Sequence, residues 1–177
     1  SMTATSGGGF ALMTEALGLA AITETPMVVI NAQRPGPATG LPTRTGQADL
    51  QFAIHASQDE FPRFVFAPGN PSQVFETVFK AFDLSERFQV PAIVLVDQYL
   101  NDSLFLVEEK FAWPDKIVSY TVKDEDMEDP DRYRRYELNE SGVSPRAIPC
   151  NGRALVKVCS DEHDQEDLSE DSHVGFP

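Results

Sequence analysis

Apolar positions in the first hundred residues follow two periods in turn. Met27, Val28, Val29 and Ile30 form a short β-branched run between Pro26 and Asn31, the pattern of a strand buried on both faces of a parallel sheet. Pro91 to Val96 reads as the most buried strand, and Arg63 to Ala67 as another, ended by Pro68 and Gly69. Residues Met2 to Ser6 alternate and then meet Gly7, Gly8 and Gly9. Between these runs the period becomes helical. Leu12, Met13, Ala16, Leu17 and Ala20 predict one buried stripe on a helix that begins at Phe10. Gln47 to Ala56 predicts a short helix that buries Leu50, Ala53 and Ile54. Asn70 predicts an N-cap with Pro71 at the first helical position, and Val74, Phe75, Val78, Phe79 and Phe82 then share one core face. Strand and helix in alternation with short links predict an open, parallel, doubly wound α/β sheet.

The alternation stops near Leu104, which divides the chain into an α/β part over 1–107 and an irregular, acidic extension over 108–177. Within the extension, Lys123 to Asp131 reads as a solvated loop, Ala154 to Cys159 as an edge strand, and the histidine-containing acidic end as a linker. At 177 residues and 41% hydrophobic, the chain suits one core. A formal charge of −14 argues against a nucleic-acid surface. No apolar run reaches the roughly 18 residues of a membrane span, and no leader is visible before Phe10. Cys150 and Cys159 read as reduced thiols, so the expected location is cytoplasmic. His55, His163 and His173 are too scattered to give a zinc spacing or a cysteine–histidine pair.

Candidate chemistry gathers after the Met27 strand. Pro35, Gly36, Pro37, Gly40 and Pro42 stiffen a loop that also carries Arg34, Thr39, Thr43, Arg44 and Thr45. Open parallel sheets bind ligands beyond the carboxyl ends of their strands, where this loop begins. An arginine held there suits a carboxylate or phosphate; the other reading of Arg34 is a helix cap or an ion pair. The turn at Gly7 either approaches a ligand or is a tight strand-to-helix link, and its spacing is not that of a dinucleotide fingerprint. His55 reads as a cap for the carbonyls at the end of its helix rather than as a catalyst. Asp97 reads as a solvated or capping residue rather than a ligand contact.

Five segments carry a family resemblance: T-A-T-S-G-G-G-F-A-L-M-T-E-A-L-G, A-Q-R-P-G-P-A-T-G-L-P-T-R-T-G-Q-A-D-L, F-A-P-G, V-L-V-D-Q-Y-L and S-G-V-S-P-R-A-I-P. Together they resemble the alpha subunit of the 2-oxoacid:ferredoxin oxidoreductases, with the 2-oxoglutarate type most similar. The resemblance runs in order from Met2 to about Asp171. It implies the later part of a thiamine-pyrimidine-binding domain over 1–107, a flavodoxin-like sheet of the thiamine-diphosphate-binding superfamily, followed by an extension towards a further domain. It also implies a coenzyme A-dependent oxidative decarboxylation of a 2-oxoacid, with electrons passed to ferredoxin. By position, Arg34 matches the family's substrate-carboxylate arginine and Thr43 the threonine lining the same pocket. Thr5, Ser6 and Gly7 match the turn beside the cofactor.

The family's Y-P-I-T-P segment and its pyrimidine-bonding glutamate do not occur in this sequence, and the resemblance places both before Met2. It assigns the diphosphate, the magnesium and the iron–sulfur cluster to a beta subunit. The sheet is therefore expected to be incomplete, with an open edge, and the isolated chain to be inactive and to depend on a partner for stability. Two other readings stand beside this one: a subunit of another thiamine-dependent 2-oxoacid decarboxylase, and a catalytically inert assembly fragment.

Overall fold

The computed structural model describes residues 1–108, 110–161 and 163. They fall into two compact units, Ser1–Ile117 and a second that starts at Val118.

The first unit is an α/β sheet. Its strands are β1 (Met2–Thr5), β2 (Met27–Gln33), β3 (Phe64–Phe66) and β4 (Pro91–Asp97), ordered β1-β2-β4-β3 with every neighbouring pair parallel. The helices are α1 (Gly7–Ala11), α2 (Thr14–Ile22), α3 (Leu50–His55), α4 (Pro71–Phe88) and α5 (Gln98–Asp102). Alternation along the two central strands sorts side chains onto two faces. Val29, Ile93 and Leu95 pack with Phe10, Leu17, Ala53 and Ala56. Val28, Ala92, Val94 and Val96 pack with Ala81, and Val74, Phe82 and Leu100 cover them. All seven residues of β4 are buried; both faces are covered, and the six before Asp97 are apolar.

Ser85 closes the amino end of the sheet. Its hydroxyl is 1% exposed; it accepts from Met27 N at 3.0 Å and lies 2.7 Å from the Val90 carbonyl, to which it donates. One α4 hydroxyl thus ties together the entries to β2 and β4. Asn70 caps α4 by accepting from Gln73 N at 2.9 Å, as its place before Pro71 predicts.

Four expectations about packing need correction. The helix read from Phe10 is two helices, and the break at Leu12 and Met13 resets the helical phase, so Leu12 is 87% exposed and Ala16 is exposed, while Leu17 and Ala20 remain buried. In α3 only Ala53 is buried, because a six-residue helix presents little more than one position to the core; Leu50 and Ile54 are exposed. Phe75 and Phe79 do not join the core. They meet Phe111 and Trp113 in a separate aromatic group, with ring centroids 4.8 to 5.4 Å apart. Finally, Arg63 rather than His55 serves the end of α3: its Nη1 donates to the carbonyls of Ala56 at 2.5 Å and Ala53 at 3.4 Å, and His55 is exposed. Burial pushes the Arg63 guanidinium down from its usual pKa, and these carbonyl contacts offset part of that cost.

In the second unit, β5 (Thr121–Val122) and β6 (Arg146–Ala147) pair in parallel. Tyr133 holds the entry to β6, since its hydroxyl donates to the Pro145 carbonyl and accepts from Ala147 N, both at 2.9 Å. Lys123 to Asp131 is a largely exposed loop containing two short 3₁₀ turns. Residues 154–159, expected to be an edge strand, are in no strand. Their alternation meets no covering surface, and Leu155 is 84% exposed. Cys150 and Cys159 are free thiols. The acidic stretch read as a linker lies mostly outside the described residues.

Candidate functional site

Polar side chains collect where β1, β2 and β4 end. Asn31 and Gln33 occupy alternate positions at the carboxyl end of β2 and are buried at 0% and 6% exposure. Two amides in an otherwise apolar strand need partners, since an unpaired buried polar group costs about 1–3 kcal/mol. Three of the contacts come from the far end of the following loop, while Asn31 Oδ1 has no hydrogen-bond partner among the described residues. Asn31 Nδ2 donates to Asp49 Oδ2 at 3.0 Å, and Asp49 N donates to Gln33 Oε1 at 3.1 Å. Gln47 Nε2 donates to Asp97 Oδ2 at 2.6 Å. Asp97 also caps α5, accepting from Leu100 N at 2.7 Å, so the capping role read for it from the sequence is present alongside this second bond.

The loop leaves β2 at Arg34 and folds back on its own start. Leu41 N donates to the Pro35 carbonyl at 3.0 Å, and Arg44 N to the Leu41 carbonyl at 3.1 Å. Gly40 has φ +51°, and a methyl group there would lie 1.9 Å from Pro35 O. No side chain fits that position without moving backbone. Gly46 is confined in the same way, with a methyl position 2.8 Å from Pro35 N. Proline and glycine therefore hold the loop stiff, as their spacing predicts, and the return strand of the loop presses against Arg34 itself.

Within this frame Arg34 is half-buried, and its buried Nε has no hydrogen-bond partner among the described residues. Thr43 sits on the exposed outer part of the same loop. Thr5, Ser6 and Gly7 form the turn out of β1, and Thr5 is in register with Asn31. This turn lies against the loop. A methyl group on Gly7 would be 2.9 Å from Asp49 Oδ2, and one on Gly8 would be 3.8 Å from the Ala38 carbonyl oxygen. Beyond the ends of β2, β3 and β4 an open cleft of about 360 Å³ is lined by residues that include Gln33, Gln47, Leu50, Asp97, Tyr99 and Leu100, and Arg34, Thr43, Thr5, Ser6 and Gly7 are not among its lining residues.

The structure thus brings the glycine turn and the arginine loop together, joined by residues that sequence reasoning passed over. Asn31 and Gln33 carried a signal, as amides at alternate positions of a doubly buried strand. Asp49 carried little, since an acidic residue before a helix ordinarily reads as a cap; here it makes no side-chain cap bond to α3 and turns to Asn31 instead.

Residues 1–174 match the family model described as "Pyruvate flavodoxin/ferredoxin oxidoreductase, thiamine diP-bdg". The chain belongs to this family. Its relatives in the oxidoreductase family include "2-oxoacid:ferredoxin oxidoreductase 1, subunit alpha" of Sulfurisphaera tokodaii, 41% identical over 170 residues, which cover 96% of this chain and 27% of the relative. "2-oxoglutarate synthase subunit KorA" of Methanothermobacter marburgensis is 40% identical over 116 residues, 66% of this chain and 30% of that protein. Among solved structures, a 2-oxoglutarate:ferredoxin oxidoreductase from Magnetococcus marinus, with 2-oxoglutarate, coenzyme A and succinyl-CoA bound, superposes with a TM-score of 0.80 at 37% identity, over 96% of this chain and 29% of that one. The chain spans about a quarter of the length of the first two relatives named here by coverage, 27% and 30%.

Asp49 Oδ2 lies beside the Gly7 turn, and a carboxylate there disfavours a second anion close by. Among the described residues no cluster of three His, Cys, Asp or Glu side chains is placed to hold a metal ion, and no helix is long and apolar enough to cross a membrane.

Proposed function

We propose that this chain is part of the alpha subunit of a 2-oxoacid:ferredoxin oxidoreductase of the 2-oxoglutarate type, and that it supplies one wall of the thiamine diphosphate and 2-oxoacid site. The observation that carries the reading is the place of half-buried Arg34, whose buried Nε has no hydrogen-bond partner among the described residues, on a loop pinned at Gly40 and Gly46. Such a guanidinium is set to take a carboxylate through two parallel N–H bonds, with no internal partner to displace. Thr43, exposed further along the same loop, is assigned to the substrate side with Arg34, and Thr5, Ser6 and Gly7 to the pyrimidine end of the cofactor.

Thiamine diphosphate, when bound, supplies the nucleophile and the electron sink for loss of carbon dioxide from the 2-oxoacid. This chain's share is to orient the acid: Arg34 fixes its carboxylate, and the loop limits where the keto carbon lies. Residues 1–107 carry this work, with 108–177 an extension beyond it. The diphosphate, magnesium and iron–sulfur cluster belong with a beta subunit, coenzyme A accepts the acyl group, ferredoxin takes the electrons, and the assembly is cytoplasmic.

The test is reconstitution of the complete alpha subunit containing this sequence with its beta subunit, followed by reduction of a viologen dye. Reduction that requires both coenzyme A and 2-oxoglutarate is expected. Stable assembly without any turnover would overturn the proposal in favour of an inert assembly module. Decarboxylation with no transfer of electrons to the dye would favour a non-oxidative thiamine enzyme.

A further inference from the structure

We infer that Asp49 is a positioning residue that sets the glycine turn and the Arg34 loop at a fixed distance from one another, and that Gly7 is glycine because of it. The inference rests on the thiamine and 2-oxoacid reading of this site. Asp49 stands where three pieces of chain converge. Its Oδ2 accepts from the buried Asn31 amide at 3.0 Å, and its N–H reaches Gln33 Oε1 at 3.1 Å, so both contacts to β2 are made by side chains the core immobilises. The same Oδ2 lies 2.9 Å from the place a methyl group on Gly7 would occupy, closer than a carbon and an oxygen tolerate. Only two residues separate Asp49 from Gly46, which is packed on the backbone of Arg34 and Pro35. Displacing Asp49 therefore moves the turn that backs the cofactor and the loop that carries the guanidinium. Asp49 touches neither reacting group; it acts through Gly7 on one side and through the loop on the other.

The experiment uses the complete enzyme, alpha with beta subunit, carrying Gly7→Ala, Asp49→Ala, both together, or Asp49→Asn. Thiamine diphosphate affinity is measured by calorimetric titration, and the 2-oxoglutarate KM and kcat by dye reduction. Gly7→Ala is expected to weaken the cofactor by about tenfold with the 2-oxoglutarate KM nearly unchanged, whereas Asp49→Ala weakens both. The double variant is expected to bind cofactor no more weakly than Asp49→Ala alone, because removing the carboxylate makes room for the methyl group. Asp49→Asn keeps the oxygen to which Asn31 donates and is expected within about twofold of wild type in both constants. If Asp49→Ala fails to assemble, Asp49→Ser, which shortens the side chain and breaks the Asn31 contact, is expected to weaken both constants in the same way, and wild-type constants in it would overturn the role. Additive losses in the double variant, or a fall in melting temperature with both constants unchanged, would overturn the role of Asp49 and leave the site reading intact. A wild-type complex that neither binds the cofactor nor turns over would overturn both.

Discussion

Two buried polar atoms, Ser85 Oγ and Arg34 Nε, flank β2, one at each end, and they are treated in opposite ways. At the amino end, Ser85 is 1% exposed and its hydroxyl is engaged with Met27 N and the Val90 carbonyl. At the carboxyl end, Arg34 Nε is equally shut away from water but has no partner among the described residues. A polar atom satisfied inside the fold is there for the fold. One left unsatisfied on a loop built of proline and glycine carries a cost the fold does not recover by itself, and such costs cluster where a ligand is to be bound.

This contrast can be broken or sharpened by substitution. The largest effect is expected from Arg34→Ala in the complete enzyme, where steady-state kinetics should register a loss of about 2–5 kcal/mol in kcat/KM for the 2-oxoacid, the range for removing one side of a desolvated charge pair. Its thermal unfolding should be unchanged or raised, since a buried unpaired group has gone. Gly40→Ala comes next. It forces a side chain into a left-handed backbone conformation and against Pro35 O, at about 1–3 kcal/mol, and the loss should appear as a raised 2-oxoacid KM as well as a lower melting temperature. Ser85→Ala should behave in the reverse manner to Arg34→Ala. Denaturant unfolding should report about 1–2 kcal/mol of lost stability from the groups left unpaired around Met27 and Val90, with turnover per folded molecule unaffected. The smallest effect is expected at the N-cap of α4, where Asn70→Ala should cost about 1 kcal/mol of stability and leave kinetics alone. An Arg34→Ala variant that loses stability while keeping its catalytic efficiency would reverse the assignment of the two ends.

Much of this was legible in the chain. Continuous β-branched runs marked β2 and β4 because both of their faces are covered, and the Pro35 to Pro42 spacing marked a stiff loop because proline and glycine act locally. The acquaintance of Asn70 with Pro71 fixed the start of α4 for the same reason. What could not be read depends on contacts between distant residues. Leu12 fits a helical stripe on paper, yet the break before Thr14 turns it out to solvent. Leu155 alternates like a strand residue but is in no strand and is exposed. Arg63 took the place expected of His55 because it arrives from the following strand segment, eight positions further on, with a longer reach. Asp49, the residue that links turn to loop, is visible only once Asn31, Gln33 and Gly7 stand around it.

The central claim, that Arg34 is kept unpaired in order to receive a carboxylate, is tested most directly by inhibition of the complete enzyme with a 2-oxoacid analogue that cannot be cleaved, alongside the ester that masks its carboxylate next to the keto group. The prediction is that Arg34→Ala weakens the free acid by at least about tenfold and leaves the ester as it was. Equal inhibition by the free acid in wild type and variant would contradict it.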